Sequence, residues 1–340
     1  MITPFSKKVL LDNIPTFYKS SFLVNPSVYE TIFQKLQLQK VYKDCTDLKV
    51  LDIYAGPGQQ SLIFNEKFRP KQQLLMDNRP KFTNFWETHL KGSHLQLSTQ
   101  DPYSWESYLM LMDYQKIFVP ETQDRSHIHN KFFVMANVTD KKYEGLIMQW
   151  YNCIGQKNWV HRYGRVQMLV WMPTATAVKL LAPPKSSARS KASLVAETFT
   201  ESKLIAITDD TAASKMDKLI LQQHDPIMIK HADTVPNKRP QIPMSLLLIT
   251  PRNVTFNKDN WDYITKQLMI QRKTPFEDAA EALGPGGREY FTQVLQDKNF
   301  MSRNAASFSA EEFILLTDIF TNWPFKPDIF MSLFDVDNDD

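Results

Sequence analysis

"KVLDIYAGPGQQS", residues 49–61, decides the reading of the fold. An apolar run ends in Asp52, the loop carries Gly56 and Gly58, and helical spacing follows. Strand, glycine loop and helix in that order begin a nucleoside-cofactor fold, because loop amides and the helix N-terminus together face an anionic or polar ligand. Further apolar runs follow: "QQLLMD" (72–77), "LQLSTQ" (95–100), "KFFVMANV" (131–138) and "RVQMLVWM" (165–172). Each suits a strand buried on both faces. Helix-like segments at 60–67, 80–91 and 143–154 lie between them, which predicts a doubly wound parallel sheet. "SKLIAITD" (202–209) and "MSLLLITP" (244–251) are expected to close it as an antiparallel hairpin.

In an open α/β sheet, ligands bind beyond the carboxyl ends of the strands. Asp52 and its loop end the first strand, and Asp77 ends the second, where an acid commonly grips a ribose diol. Asp101 follows the third and Asn137 ends the fourth. Helix capping accounts for any one of them. All four in order point to descent from a cofactor-binding fold.

The 340 residues are 43% hydrophobic and 23% charged, with a net charge of +3, as in an ordinary soluble protein. That charge permits an anionic partner without requiring one. Two cysteines, Cys45 and Cys153, exclude a disulfide framework or zinc cluster, and no metal site is expected. No apolar run is long enough to span a membrane. The first residues lack a signal-peptide core. They are poor in arginine and include Asp12, which makes a weak mitochondrial presequence, so the residues alone favour the cytosol over an organelle matrix.

Three parts are expected: an α/β domain over 1–250, a helical domain over 251–330 and a flexible acidic tail over 331–340. "APPKSSARSK" (182–191) reads as an exposed loop, and Ser309 with Glu312 as a capping box. The tail "DVDNDD" starts like a calcium loop but lacks its glycine and closing glutamate.

The order and spacing of the strand ends resemble the S-adenosylmethionine-dependent enzymes that dimethylate adenines in ribosomal RNA. The resemblance runs from "YKSSFLVNPSVYETIF" (18–33) to "NWDYITKQLMIQRKTPFEDAAEAL" (260–283). It implies a Rossmann-like methyltransferase fold, with a mostly parallel seven-stranded sheet and a small all-α C-terminal domain. It also implies a cofactor pocket at Asp52, Tyr54, Gly56, Gly58, Asp77, Asp101 and Asn137. Two departures weigh against methylation. Tyr54 stands where the family has its first loop glycine, and "ANVTD" (136–140) stands where the family has Asn-(Leu/Ile)-Pro-(Tyr/Phe). Asn137 is kept, but Thr139 and Asp140 replace the proline and the aromatic that stacks on the flipped base. No catalytic residue and no bound S-adenosylmethionine are therefore expected; an active adenine N6-dimethyltransferase is the alternative.

The sequence is closer still to a non-methylating branch of that family, the initiation factors of single-subunit mitochondrial RNA polymerases in budding yeasts. "TQDPYSW" (99–105), "KIFVPETQ" (116–123), "VMANVTDKKYEGLIMQW" (134–150), "QKNWVHRYGRVQMLVWMP" (156–173) and "NWPFKPDIFM" (322–331) carry that likeness. It implies a monomeric, membrane-free factor of the mitochondrial matrix. Its partners would be the polymerase and melted promoter DNA, chiefly the non-template strand. Unpaired bases want aromatic platforms beside positive charge. Tyr103 and Trp105 fit either that role or core packing, and Lys157, Arg162 and Arg165 either a phosphate-contacting face or a solvated one. Lys179, Lys185, Arg189 and Lys191 add a basic loop suited to phosphates. The same likeness brings the acidic tail, Asp335 to Asp340, toward the polymerase active site; a merely solvated terminus needs no such role.

Overall fold

Strand β1, Lys49–Ile53, lies at the middle of the sheet, with Val50, Leu51 and Ile53 wholly buried. It pairs in parallel with β2 (Gln72–Met76) on one side and β4 (Ile128–Asn137) on the other. β3 is Gln96–Ser98 and β5 is Arg165–Pro173, followed by β6 (Thr200–Thr208), β7 (Ile227–Ile229) and β8 (Met244–Pro251). The strand order is β3-β2-β1-β4-β5-β8-β6-β7, and only β8 runs antiparallel to its neighbours. The chain winds outward from β1 to β3, then returns to place β4 beside β1. The resulting switch point opens a crevice where Asp52 and Asn137 end their strands. The computed structural model describes residues 4–14, 19–209, 211–235 and 242–329. The acidic tail lies outside them.

Helix α1 (Pro26–Leu36) and α2 (Gln59–Phe68) cover one face of the sheet, with Phe33, Phe64 and Phe68 packed near Phe133 and Trp171. Phe82, Phe85 and Trp86 of α3 (Pro80–His89) pack with Leu75 and Phe22 in a second cluster. The sheet differs from expectation at its far edge. The two strands 202–209 and 244–251 do pair antiparallel, but β8 inserts between β5 and β6 rather than ending the sheet. The added edge strand β7 makes eight strands among the described residues, not seven. Three residues of β structure give too short an apolar run to be distinguished in sequence. No described helix is long and apolar enough to cross a membrane.

Two compact units are formed: residues up to 178 with 199–253, and 179–198 with residues from 254 onward. The second is helical, with Trp261 of a helix at Lys258–Ile270, and Phe313 and Phe320 of a helix at Ala310–Thr321, all fully buried. Ser309 and Glu312 form the expected capping box. The segment 179–198 was expected in the α/β domain and its basic stretch in solvent. The segment belongs instead to the helical unit, and although Lys185 is exposed, Arg189 is not. Only 1% exposed, its guanidinium forms an ion pair with Glu197 and donates to the carbonyl oxygens of Ala182 and Phe308, each at 3.0 Å. It serves as an internal tie of the helical unit and is removed from the candidate nucleic-acid contacts. Deleting one partner of a buried ion pair leaves unpaired polar groups, at a cost of about 3 kcal/mol or more. Arg189→Ala should lower stability to denaturant by that amount. A loss below about 0.5 kcal/mol, the size of an ordinary surface substitution, would contradict this role.

Candidate nucleic-acid interface at the carboxyl edge of the sheet

At the end of β1, Tyr54 adopts a left-handed backbone (φ 54°) and is 1% exposed, its ring packed on Tyr143 with centroids 4.4 Å apart. A bulky residue there carries local strain. Its ring occupies space that a glycine would leave to a ligand. Asp77, at the end of β2, is fully buried and fully engaged. It takes Arg79 Nε at 2.7 Å and a second guanidinium nitrogen of the same side chain, and accepts the Gly56 amide at 3.0 Å. Arg79 in turn lies 4.5 Å from the Phe82 ring centroid and 5.3 Å from that of Tyr54. Gly56 (φ 60°) is irreplaceable here, because a Cβ would stand 2.1 Å from the Phe22 ring. The space left beside Asp52, Ala55 and Asn137 is about 10 Å³, at the threshold for one water. At the end of β1 the side chains therefore engage one another, and the open space of this edge lies beside Asp101 and Tyr103.

The region corresponding to the catalytic motif is likewise engaged internally. Asn137 Nδ2 donates to the Ser21 carbonyl at 3.0 Å, and its Oδ1 accepts from Thr139 Oγ1 at 2.9 Å. Thr139 Oγ1 also accepts the Ser21 amide at 2.8 Å, so the pair clamps the segment that precedes α1. Asp140 is 6% exposed and caps the short helix Lys141–Tyr143 by accepting the Lys142 amide at 3.1 Å. Asparagine and aspartate here perform structural work. Arg79, Tyr143 and Ser21, which complete the closure, escaped the sequence reading. A basic residue two positions after the strand-end acid was the available signal.

Beyond β3 the chain remains open. Asp101 is exposed and accepts the Tyr103 amide at 2.9 Å, fixing a turn, and the buried Tyr108 hydroxyl donates to the Pro102 carbonyl at 2.8 Å. That turn presents Tyr103 and Trp105, 50% and 42% exposed. They serve different cavities. Tyr103 lines one of about 540 Å³ with Tyr54, Arg79, Asp101, Lys142 and Tyr143. Trp105 lines another of about 500 Å³ with Tyr108, Met112, Cys153, Trp159 and Arg162. The basic residues separate by role. Lys157 is exposed. Arg162 donates to both Asp113 carboxylate oxygens at 2.7 and 2.8 Å, which offsets its charge. Arg165 is half-buried and donates to the Pro251 and Ser126 carbonyls, tying strand ends together. In the helical unit Lys179 and Lys185 are exposed, and Lys191 lies 3.7 Å from the Asp262 carboxylate.

Asp52 is a buried strand-end acid without an ion-pair partner among the described residues. It accepts the Ser61 hydroxyl. Burial pushes its carboxyl up to about 7, opposed by the Ser61 hydrogen bond and reinforced by the Asp77 charge. An unfolded Asp titrates near ~3.9, so its contribution to stability is present below that pH and is lost as pH rises toward 7. Asp52→Asn keeps an acceptor for Ser61 and removes the charge. The variant should match the parent near pH 4 and exceed it by up to about 4 kcal/mol at pH 8, three units at ~1.36 kcal/mol each. Parallel pH profiles in chemical denaturation would refute the assignment.

Residues 11–318 match the family model described as ribosomal RNA adenine dimethylase. Over 323 residues the chain is 47% identical to "Mitochondrial transcription factor 1" of Lachancea kluyveri, covering 95% of each chain. Over 326 residues it is 44% identical to the protein of that name in Saccharomyces cerevisiae, covering 96% of this chain and 95% of that one. Among solved structures, a dimethyladenosine transferase from Plasmodium falciparum superposes with a TM-score of 0.54 at 13% identity, covering 87% of this chain and 96% of that one. The 23S rRNA methyltransferase ErmE does so at 0.53 and 10%, covering 88% and 98%. The structural likeness establishes the Rossmann-like methyltransferase fold, and the sequence likeness supports a mitochondrial transcription factor role. By sequence over most of its length, the chain belongs to the ribosomal RNA adenine dimethylase family.

Proposed function

We propose that this chain is a mitochondrial transcription initiation factor. In this reading it binds a single-subunit RNA polymerase in the matrix, promotes promoter melting and holds the displaced non-template strand, transferring no methyl group. One observation carries the proposal: Tyr54 and Arg79 crowd the loop after β1, while the same sheet edge offers Tyr103 and Trp105 half-exposed. Melting deprives bases of their stacking partners, and an aromatic platform returns roughly 1–3 kcal/mol per base without regard to sequence. Exposed Lys142 lines the cavity of Tyr103, and exposed Lys157 lies between Gln156 and Asn158 of the Trp105 cavity; both supply attraction for phosphates. The relatives named as mitochondrial transcription factors support the same reading.

An adenine dimethyltransferase is the second reading, favoured by the family match. Titration calorimetry separates the two: no saturable heat with S-adenosylmethionine is expected, and micromolar binding would restore the enzymatic reading. Run-off transcription tests the melting role directly. The factor should be required on a duplex promoter and largely dispensable on one pre-melted across the start site; an equal requirement on both would overturn it. Replacing Tyr103 and Trp105 together by Ala should weaken open-complex formation at least tenfold, about 1.4 kcal/mol and within the range for two stacked bases. Polymerase association should stay unchanged. An unaltered fluorescence of 2-aminopurine at the start site would exclude the two rings as platforms.

A further inference from the structure

The cavity beside Trp105 lies away from the ancestral cofactor position and has its own construction. Its inner wall is Trp159, 9% exposed, which stacks on Trp150 with centroids 5.4 Å apart and planes 7° apart. Trp105 and Tyr108 meet it edge-on, at 5.8 and 5.3 Å. Four rings therefore fix one another before any ligand arrives. Trp159 sits at φ 51°, a backbone conformation that a bulky residue adopts only where its surroundings compel it. Its indole N–H is buried without a hydrogen-bond partner among the described residues. Directly after the short helix that starts at Trp105, a π-helical turn over Met110–Tyr114 contributes Met112; such turns are frequent at functional sites. The rim is built differently. Gln149 and Asn152, one turn apart on the helix Glu144–Gln156, are exposed at the cavity, and neither side chain makes a hydrogen bond within the described residues.

We infer that this cavity takes a single extruded nucleobase, adenine in preference, as a reading slot distinct from the Tyr103 platform. The inference rests on the single-strand-binding role proposed above and deepens it. About 500 Å³ accommodates a nucleoside. Flat indole walls suit a purine, and a primary amide offers an acceptor beside a donor, the complement of adenine N6–H and N7. Tyr103 contributes affinity for any base, and the slot contributes choice among bases.

The test uses the full chain and fluorescein-labelled single-stranded oligo-dT 12-mers carrying one central A, G, C, T or abasic site, at one fixed salt concentration. Binding is read by anisotropy. The parent chain should prefer the A-containing strand over the abasic one by about tenfold, the scale of one good bidentate contact. Gln149→Leu combined with Asn152→Leu, both on the surface, should reduce that preference below about twofold with affinity for the abasic strand unchanged. Tyr103→Ala should weaken every strand alike and leave the preference in place. Uniform weakening by Tyr103→Ala with no adenine preference in the parent would overturn the slot and leave the platform standing. A preference that survives Gln149→Leu/Asn152→Leu, or no measurable binding to any strand, would also overturn it. Loss of polymerase association in the double variant with base preference intact would assign the cavity to a protein segment instead.

Discussion

A doubly wound sheet places acids at the carboxyl ends of its strands, and a buried carboxylate must find partners or give up its charge. In a cofactor-binding protein the ligand supplies those partners. Here the chain supplies them. Asp77 takes the guanidinium of Arg79 and the amide of Gly56, and Asp52 takes Ser61 and holds its proton up to about 7. The rest of this edge follows from that closure. Once Arg79 reaches back to Asp77, its plane must be covered, and Phe82, Tyr54 and Phe22 cover it, at 4.5, 5.3 and 6.0 Å. Phe22 in turn requires Gly56, and its segment is held by Asn137 and Thr139 through Ser21. These strand-end residues form one structural network.

The distinction matters for function, because two of the residue types that identify the ancestral site are still present and still ordered. Asn137 retains its place at the end of β4, yet both ends of its amide are engaged. Presence of a motif residue does not by itself establish its chemistry. What decides is where its hydrogen bonds go.

Strand positions were legible in the sequence because period and length are set locally: β1, β2, β5 and β8 fall within a residue of the expected runs. The edge strand β7 was not, since three residues carry no resolvable period. The strand-end acids were readable from spacing, and the crowding by Tyr54 from the family resemblance. Arg189 was misread for a physical reason: a serine- and proline-rich, basic stretch has the composition of a solvated loop, and only tertiary contacts reveal that Glu197 and two carbonyls wait for its cation. Arg165 and Arg162 fell to the same ambiguity, as guanidinium groups serve backbone ties as well as phosphates. The Trp105 cavity draws on residues 105–112 and 149–162, which no single motif joins.

The two aromatics of "DPYSW" separate in space although one residue separates them in sequence. Residues in a turn diverge, and the Asp101 and Pro102 contacts hold this turn in a single form. Ordering an exposed ring at the moment of binding costs about 0.5–1.5 kcal/mol of rotamer freedom, comparable with what stacking a base returns. Trp105 has met part of that cost in advance through its edge contact with Trp159, whereas Tyr103 is more exposed beside the Tyr54–Tyr143 pair. A rigid ring at a shaped cavity can discriminate between bases, and a freer ring at an open edge can only hold them. The pairing of Asp77 with Arg79 bears on this division: the edge beside Tyr103 is left with aromatic faces, Lys142 and, of its acids, the exposed Asp101.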